Sequence, residues 1–282
     1  MTSIVIPAHN EARVVGRLLD SLLADSDQDE TDIVVVCNGC TDDTARIAAE
    51  RGPRVRVVEI PVPSKHLALR TGDDHARGFP RLYVDADVVI TSADVRALTA
   101  PLDDDTSGVL ATAPARRIPL AGCAWRVRAY YAVWQRLPAV RAGLFGRGVI
   151  AVSKAGQARV AALPPLMADD LAASLAFEPH ERLVVDTAQV VVHPPRTWPD
   201  LIRRRVRAAV STAQVEQHRP PQEASARTSK ADLIAVVREE PRLFPAVAVF
   251  VAAAVVARRR AEKAIRSQDF GTWLRDESSR QN

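Results

Sequence analysis

Four short apolar runs, residues 3–6, 31–36, 55–60 and 81–84, alternate with segments of helical period, and nothing else in the chain constrains its fold as much. The spacing predicts strands at those runs and helices over 11–23, 41–50, 65–76 and 92–102. The first helix carries Val14, Val15, Leu18, Leu19 and Leu22 on one face, and the second opens on Thr41 as N-cap. Strands alternating with helices of this length give an α/β fold, a mostly parallel sheet with helices on both faces. The 282 residues can bury such a core and still carry a helical extension.

Beyond residue 105 the alternation loosens. A strand is expected at 109–113, then a helix at 121–137 with Trp125, Tyr130, Tyr131 and Trp134, aromatic residues that packing favours as core over a substrate-facing wall. A flexible glycine-rich loop, 143–148, precedes a strand at 149–152. A helix begins at Met167-Ala168-Asp169-Asp170-Leu171, and strands at 182–185 and 189–192 end on His193-Pro194-Pro195. Residues 198–217 form a basic helix with Arg203, Arg204, Arg205 and Arg207. The composition then divides the chain into a main domain, 1–217, a linker or mobile loop, 218–230, and a C-terminal helical extension, 231–282. Within the extension, residues 243–257 are uncharged and are closed by Arg258-Arg259-Arg260. Fifteen helical residues reach roughly 22 Å, short of the ~30 Å hydrocarbon core, so a clean membrane span is not expected. A buried packing helix and an interfacial or re-entrant element both remain open, and the arginines suit anionic headgroups in the second case.

A formal net charge of +4 gives little global attraction to polyanions, and no nucleic-acid partner is expected. Three cysteines cannot make a disulfide framework, and the strand at residue 3 leaves no signal peptide before it. The expected location is cytoplasmic, peripheral at the inner membrane face if 243–257 meets lipid.

The chemistry gathers where apolar runs end. Leu82–Ile90 contains Asp85 and Asp87, one residue apart. Two carboxylates inside a buried strand would cost several kcal/mol each without partners, so they belong at a strand tip. Two hard oxygen donors there suit a divalent cation that also grips a phosphate, although spacing alone equally allows loop acids that cap the next helix. Pro7-Ala8-His9-Asn10-Glu11 follows the first strand, and Cys37-Asn38-Gly39-Cys40-Thr41-Asp42-Asp43-Thr44 the second.

With these marks, Lys65 followed by Ala68-Leu69 and Gly72, and the late Asp169-Asp170 pair, residues 1 to 215 resemble the family 2 glycosyltransferases of GT-A fold, motif by motif and in the family's order. The resemblance implies a nucleotide-diphosphate sugar donor, with Pro7, Ala8, Asn10, Glu11, Asn38 and Asp43 around its base and ribose and Lys65 near it as a cation. It implies Asp85 at the ribose and metal, Asp87 on the metal, and His193 either as a third ligand or as a structural histidine. The metal would be Mn²⁺ or Mg²⁺, a nitrogen ligand tilting the choice toward Mn²⁺. Asp170, with Asp169 beside it, matches the catalytic carboxylate of an inverting single displacement; by residue type alone the pair also suits a helix N-terminus.

Cys37 and Asn38 stand where two acids are common in the family, which leaves the donor base open. The Gln/Arg-x-x-Arg-Trp mark of processive synthases is reduced to Arg203–Arg207 without tryptophan, which implies one sugar per event. The acceptor is unidentified; a lipid-linked saccharide fits 243–257, and a small soluble acceptor fits the rest. Of the competing readings, a redox Cys37-x-x-Cys40 leaves the acids unused, no Gly-x-Gly-x-x-Gly marks a dinucleotide site, and Pro7–Glu11 is unlike a nucleotidyltransferase loop. A noncatalytic nucleotide-sugar-binding or membrane-associated partner protein is the alternative to an enzyme.

Overall fold

The computed structural model describes residues 1–25, 30–104, 106–164, 169–217 and 228–266. In chain order the elements are β1 (Thr2–Ala8), α1 (Val15–Leu23), β2 (Thr31–Asn38), α2 (Thr44–Ala49), β3 (Val55–Ile60), α3 (Lys65–His75), β4 (Arg81–Val84), α4 (Ser92–Asp103), β5 (Ala111–Arg117), α5 (Trp125–Trp134), α6 (Pro138–Ala142), β6 (Val149–Val152), α7 (Lys154–Ala161), α8 (Asp169–Leu175), β7 (Arg182–Val191), α9 (Trp198–Gln217), α10 (Lys230–Glu239) and α11 (Phe244–Arg266). They group into two compact units. One comprises the described residues of Met1–Arg117, Leu144–Pro165 and Ala172–Val192; the other those of Ile118–Gly143, Leu166–Leu171 and His193–Asn282.

The first unit is built on a seven-stranded sheet, order β3-β2-β1-β4-β6-β5-β7. β3, β2, β1 and β4 run parallel, β6 is antiparallel to both its neighbours, and β5 and β7 are parallel. Alternation along β1 sends Ile4 and Ile6 to one face, with Leu18, Leu19, Ile33 and Val35, and Val5 to the other, with Tyr83, Ile150 and Val152. Both faces are therefore covered, as the near-continuous apolar runs require. On the second face α3 lies directly on the sheet: Ala68 is fully buried, and a Cβ at Gly72 would sit 2.2 Å from Cγ1 of Val5. Below it, buried Arg81 meets Asp73 at 2.8 Å, and the Tyr83 hydroxyl donates to the same carboxylate at 2.9 Å.

Several boundaries differ from the spacing, each for a local reason. Asn10 takes a left-handed φ of 53°, and the Glu11 carbonyl accepts from the amides of Val14 and Val15, so a turn precedes α1. Thr41 does not cap α2; its hydroxyl donates to Asn10 Oδ1 and the helix begins at Thr44. The first strand beyond residue 105 runs Ala111–Arg117 rather than 109–113, and Gly122, at φ 73°, holds the chain in a turn so that α5 starts only at Trp125. The two strands expected at 182–192 are one strand with a break in register: Val185 lies opposite Pro114 and Gln189 opposite Ala115, so residues 186–188 bulge. The loop 144–148 is pinned, since Arg116 donates to the carbonyls of Phe145 and Gly146, and Arg147 to that of Pro114. Residues 218–227 of the expected linker lie outside the described residues.

The second unit is helical, and its core is the aromatic face of α5. Tyr130 stacks on Phe250 of α11 at 5.1 Å and meets Tyr131 edge-on at 5.3 Å; Trp125 alone of the α5 aromatics is well exposed, at 60%. Arg136 forks onto Glu240 at 2.5 and 3.0 Å. α11 continues through Arg258–Arg260 to 23 residues, roughly 34 Å at 1.5 Å each, so the length argued from the apolar run alone was too short.

Gly72→Ala overpacks the α3–β1 contact and should cost about 1–3 kcal/mol, read as a lowered urea midpoint with unchanged slope. A variant as stable as the parent would show that α3 moves off the sheet at no cost.

Candidate active site

β2, β1 and β4 are adjacent and parallel, so their carboxyl ends open on one edge of the sheet. The chain winds outward from β1 to β3 and returns on the other side of β1 at β4, which makes the crevice between β1 and β4 a topological switch point, the usual ligand position of an open α/β sheet.

Two of the three loops there are locked together. Asn38, only 4% exposed, donates its Nδ2 to the Ala8 carbonyl at 2.8 Å, and His9 Nδ1 donates to the Asn38 carbonyl at 2.6 Å. Asn10 Oδ1 accepts from the Thr41 amide at 2.8 Å, and the Glu11 amide donates to Thr44 Oγ1 at 2.8 Å. Asp42 closes the junction, accepting from the Ala12 amide at 3.2 Å and from the Thr44 hydroxyl at 2.5 Å. Burial pushes the Asp42 carboxyl up, but the Thr44 hydroxyl and the Ala12 and Thr44 amides outweigh it and hold it below the ordinary 3.8. Pro7 and Ala8 are buried backbone of β1. Asp43 pairs with Arg46 at 2.9 Å and is 67% exposed. The acid that knits these loops is thus Asp42, which the residue pattern did not single out.

Cys37 is buried, and burial together with nearby Cys40 pushes its thiol up to about 12, while the Cys40 thiol donates to the Ala8 carbonyl at 3.4 Å. A thiol so placed is no nucleophile near neutral pH, which counts against the redox reading.

The third loop carries the acids. Asp85 Oδ1 meets Lys65 Nζ at 2.7 Å, with the two side chains 39% and 38% exposed. The Asp85 amide donates to the Gly148 carbonyl at 2.7 Å. Gly148 was legible only as part of a glycine-rich loop, yet it is fixed by geometry: its φ is 69°, and a Cβ would fall 2.4 Å from Cγ1 of Val88 and 3.3 Å from Asp85 Oδ2. Beside it Arg147 is 3% exposed; burial pulls its guanidinium down to about 10, opposed by the charge of Asp186, so it stays a cation at neutral pH. Asp87, half-buried, follows two residues on.

The remaining residues belong to the second unit. Asp170 stands at the start of α8 and accepts from the Leu171 amide at 2.8 Å. Met167 and Ala168 lie outside the described residues, and of Asp169 only the backbone is described. His193 precedes α9, and its carbonyl accepts from Arg204 at 3.2 Å. Thr197 and Asp200 cap α9 through the Thr197 hydroxyl, 2.5 Å from Asp200 Oδ2. The first unit therefore gathers Asn10, Glu11, Asn38, Lys65, Asp85 and Asp87 at one sheet edge, while Asp170 and His193 belong to the helical unit.

No group of three or more His, Cys, Asp or Glu side chains among the described residues forms a ready metal cage. Asp85 and Asp87 nevertheless fit Mg²⁺ or Mn²⁺, because such ions are held by one or two carboxylates with water and phosphate oxygens completing the shell.

A model of the family described as Glycosyl transferase family 2 matches residues 3–152, which include every strand-tip residue above and Gly148 but neither Asp170 nor His193. The chain is 35% identical over 96 residues to a 4,4'-diaponeurosporenoate glycosyltransferase of Staphylococcus aureus, a match that spans 33% of this chain and 25% of that protein. Its structure is similar to that of a mannosyltransferase from Pyrobaculum calidifontis in complex with GDP-Man and Mn²⁺, at TM-score 0.62 and 23% identity over 99% of this chain and 84% of the other. It is also similar to glucosyl-3-phosphoglycerate synthase from Mycobacterium tuberculosis with Mn²⁺, UDP-Glc and phosphoglyceric acid, at TM-score 0.57 and 21% identity over 77% and 80%. Likeness of this extent at such low identity shows a shared GT-A fold and nothing beyond it.

Because Asp42 is held below its unfolded value, its stabilisation is complete above about pH 4 and is lost as pH falls through the folded value. The Tm deficit of Asp42→Asn should therefore shrink between neutral pH and about 3, measured by circular dichroism. A deficit constant with pH would mean that the carboxylate charge is not what binds these loops.

Proposed function

The chain belongs to glycosyl transferase family 2, and on that premise we propose that it moves one sugar from a nucleotide-diphosphate donor to an acceptor hydroxyl, with inversion and without processive elongation. The observation that carries the reading is the Lys65–Asp85 contact at the switch point, with Asp87 two residues away: a cation and two carboxylates where a diphosphate and its metal would lie.

In this reading Asp87 and Asp85 hold the metal, and Asn10, Glu11 and Asn38 shape the base and ribose pocket together with Pro7, Ala8 and Asp43. Asn10 and Asn38 do so chiefly by fixing the loops, since their side chains hydrogen-bond from one strand tip to the other. The divalent ion, Mn²⁺ or Mg²⁺, supplies neutralisation of the departing diphosphate. Lys65 orients Asp85 and adds positive charge beside it. Asp170, its Oδ1 fixed by the Leu171 amide, takes the proton of the attacking hydroxyl, and His193 is a candidate third ligand. Similar folds with GDP-Man and with UDP-Glc support a sugar-nucleotide donor of either base class; Cys37 and Asn38 depart from the paired acids, so both guanosine and uridine donors belong in any screen.

Thermal unfolding against nucleoside diphosphates, with and without Mn²⁺, tests the donor site. A ligand at a hundred times its Kd adds about 2.7 kcal/mol, a rise of roughly 5–10 °C for a protein of this size. Asp87→Ala should abolish the metal-dependent part; no shift with any nucleotide would sink the transferase reading in favour of a noncatalytic role.

Asp170→Asn should leave that shift intact and lower kcat by about 10²–10⁴, followed as release of free nucleoside diphosphate. Undiminished turnover would remove Asp170 from the role of base.

A further inference from the structure

α11 presents two faces of different chemistry. Phe250, Ala253, Ala257 and Ala261 are buried, and the helix packs on α5 and α9. Phe244, Val247, Val251 and Val255 recur every three or four residues and so form a stripe on an adjoining side. Phe244 is 67%, Val251 41% and Val255 44% exposed, which leaves a continuous apolar strip open to solvent. The far end of the strip is basic, with Arg258 and Arg259 exposed beyond it, while Arg242 at its start pairs with Glu240 at 3.2 Å. From Glu239 to Lys263 there are five basic residues, Arg242, Arg258, Arg259, Arg260 and Lys263, against three acids, Glu239, Glu240 and Glu262, so the excess of positive charge lies at the far end.

We propose that this stripe docks in the plane of an anionic lipid surface, with Phe244, Val251 and Val255 below the headgroups and the flanking arginines among them. The charge pattern selects this occupant. An aliphatic strip followed directly by three successive arginines matches an interface that is apolar beneath and negative above.

Length and composition alone would also allow Pro241–Lys263 to cross a membrane. The packing of the second unit argues otherwise. The Arg205 guanidinium of α9 lies 5.8 Å from the ring of Tyr130, and that ring stacks on Phe250 near the middle of the apolar run. A spanning α11 would carry Arg205 to mid-depth in the hydrocarbon, where charge is least tolerated. Lying flat, the same helix buries only its open stripe and keeps α9 on the aqueous side.

The test uses the full chain without nucleotide, sedimented with phosphatidylcholine vesicles with and without phosphatidylglycerol. The expected result is binding to the anionic vesicles, abolished by Val251→Asp with Val255→Asp. Arg258→Gln with Arg259→Gln should weaken it roughly thirtyfold, from about a factor of five per basic residue at such a surface. All four side chains are exposed, so each variant should keep the parent Tm and the Mn²⁺-dependent nucleotide shift. Loss of that shift with vesicle binding intact would count against the donor site alone, and the reverse pattern against the lipid surface alone. The proposal is overturned if anionic vesicles do not bind the parent, or if the Val251/Val255 variant binds as well as the parent. It is equally overturned if the stripe instead mediates a dimer that this variant dissolves, or if chain in cell membranes resists an alkaline wash, the mark of a span.

Discussion

The close approach of α3 to β1 is the contact on which the crevice depends. Gly72 removes the Cβ that would strike Val5, and Ala68 fills the next turn without standing the helix off. With α3 so close, Lys65 at its first turn reaches Asp85 at the end of the neighbouring strand, 2.7 Å away. Both side chains are more than a third exposed, so the ion pair itself contributes little to stability, about 0–1 kcal/mol. Its value is positional: small residues in the middle of a helix set where a charge sits at its start.

The loops around that charge are held by hydrogen bonds rather than by apolar contact. Asn38, Asn10, Thr41, Asp42 and Thr44 tie the ends of β1 and β2 together through side chain to backbone bonds, each of which satisfies a polar group that strand or helix would otherwise have paired. Asn10 accepts a left-handed backbone, which Asn tolerates better than most residues, and so frees Glu11 to start the turn into α1. A nucleotide entering such a crevice meets preformed walls, and little ordering cost falls on binding. Cys37, at the buried tip of β2, belongs to the same apolar face as Ile6 and Val35; an ionised acid there would need a partner that this core does not supply.

Much of this was legible in sequence where one physical rule dominates. β3, β4, β6 and α9 lie at the residues that periodicity assigns them, because continuous burial and a sustained helical repeat leave few alternatives. The sheet-edge acids were legible because charge inside an apolar run can only stand at its end, whereas Lys65 was marked only by the resemblance to the family. The part played by Asp42 was not legible, since it depends on the Ala12 amide that the first loop brings to its carboxylate. Gly148 was hidden for the same reason: its glycine is required by Val88 and Asp85, sixty residues away in sequence and adjacent only through the β4–β6 pairing. The β7 bulge likewise follows from its register against β5, a pairing that no local pattern encodes.

α11 shows how a charge outside an element can decide what that element does. Read alone, its apolar run suggests a helix that ends at the arginines. The backbone has no reason to stop there, because arginine is a good helix former, and the helix continues to span length. What limits its use is carried by α9, whose basic residues lie against the same bundle core. Burying a guanidinium costs more than burying a few valines returns, and on this ground the proposed docking keeps a helix long enough to cross a bilayer on the side where water remains. In the proposed docking the apolar stripe and the arginines beyond it act together in one orientation, along a surface rather than through it.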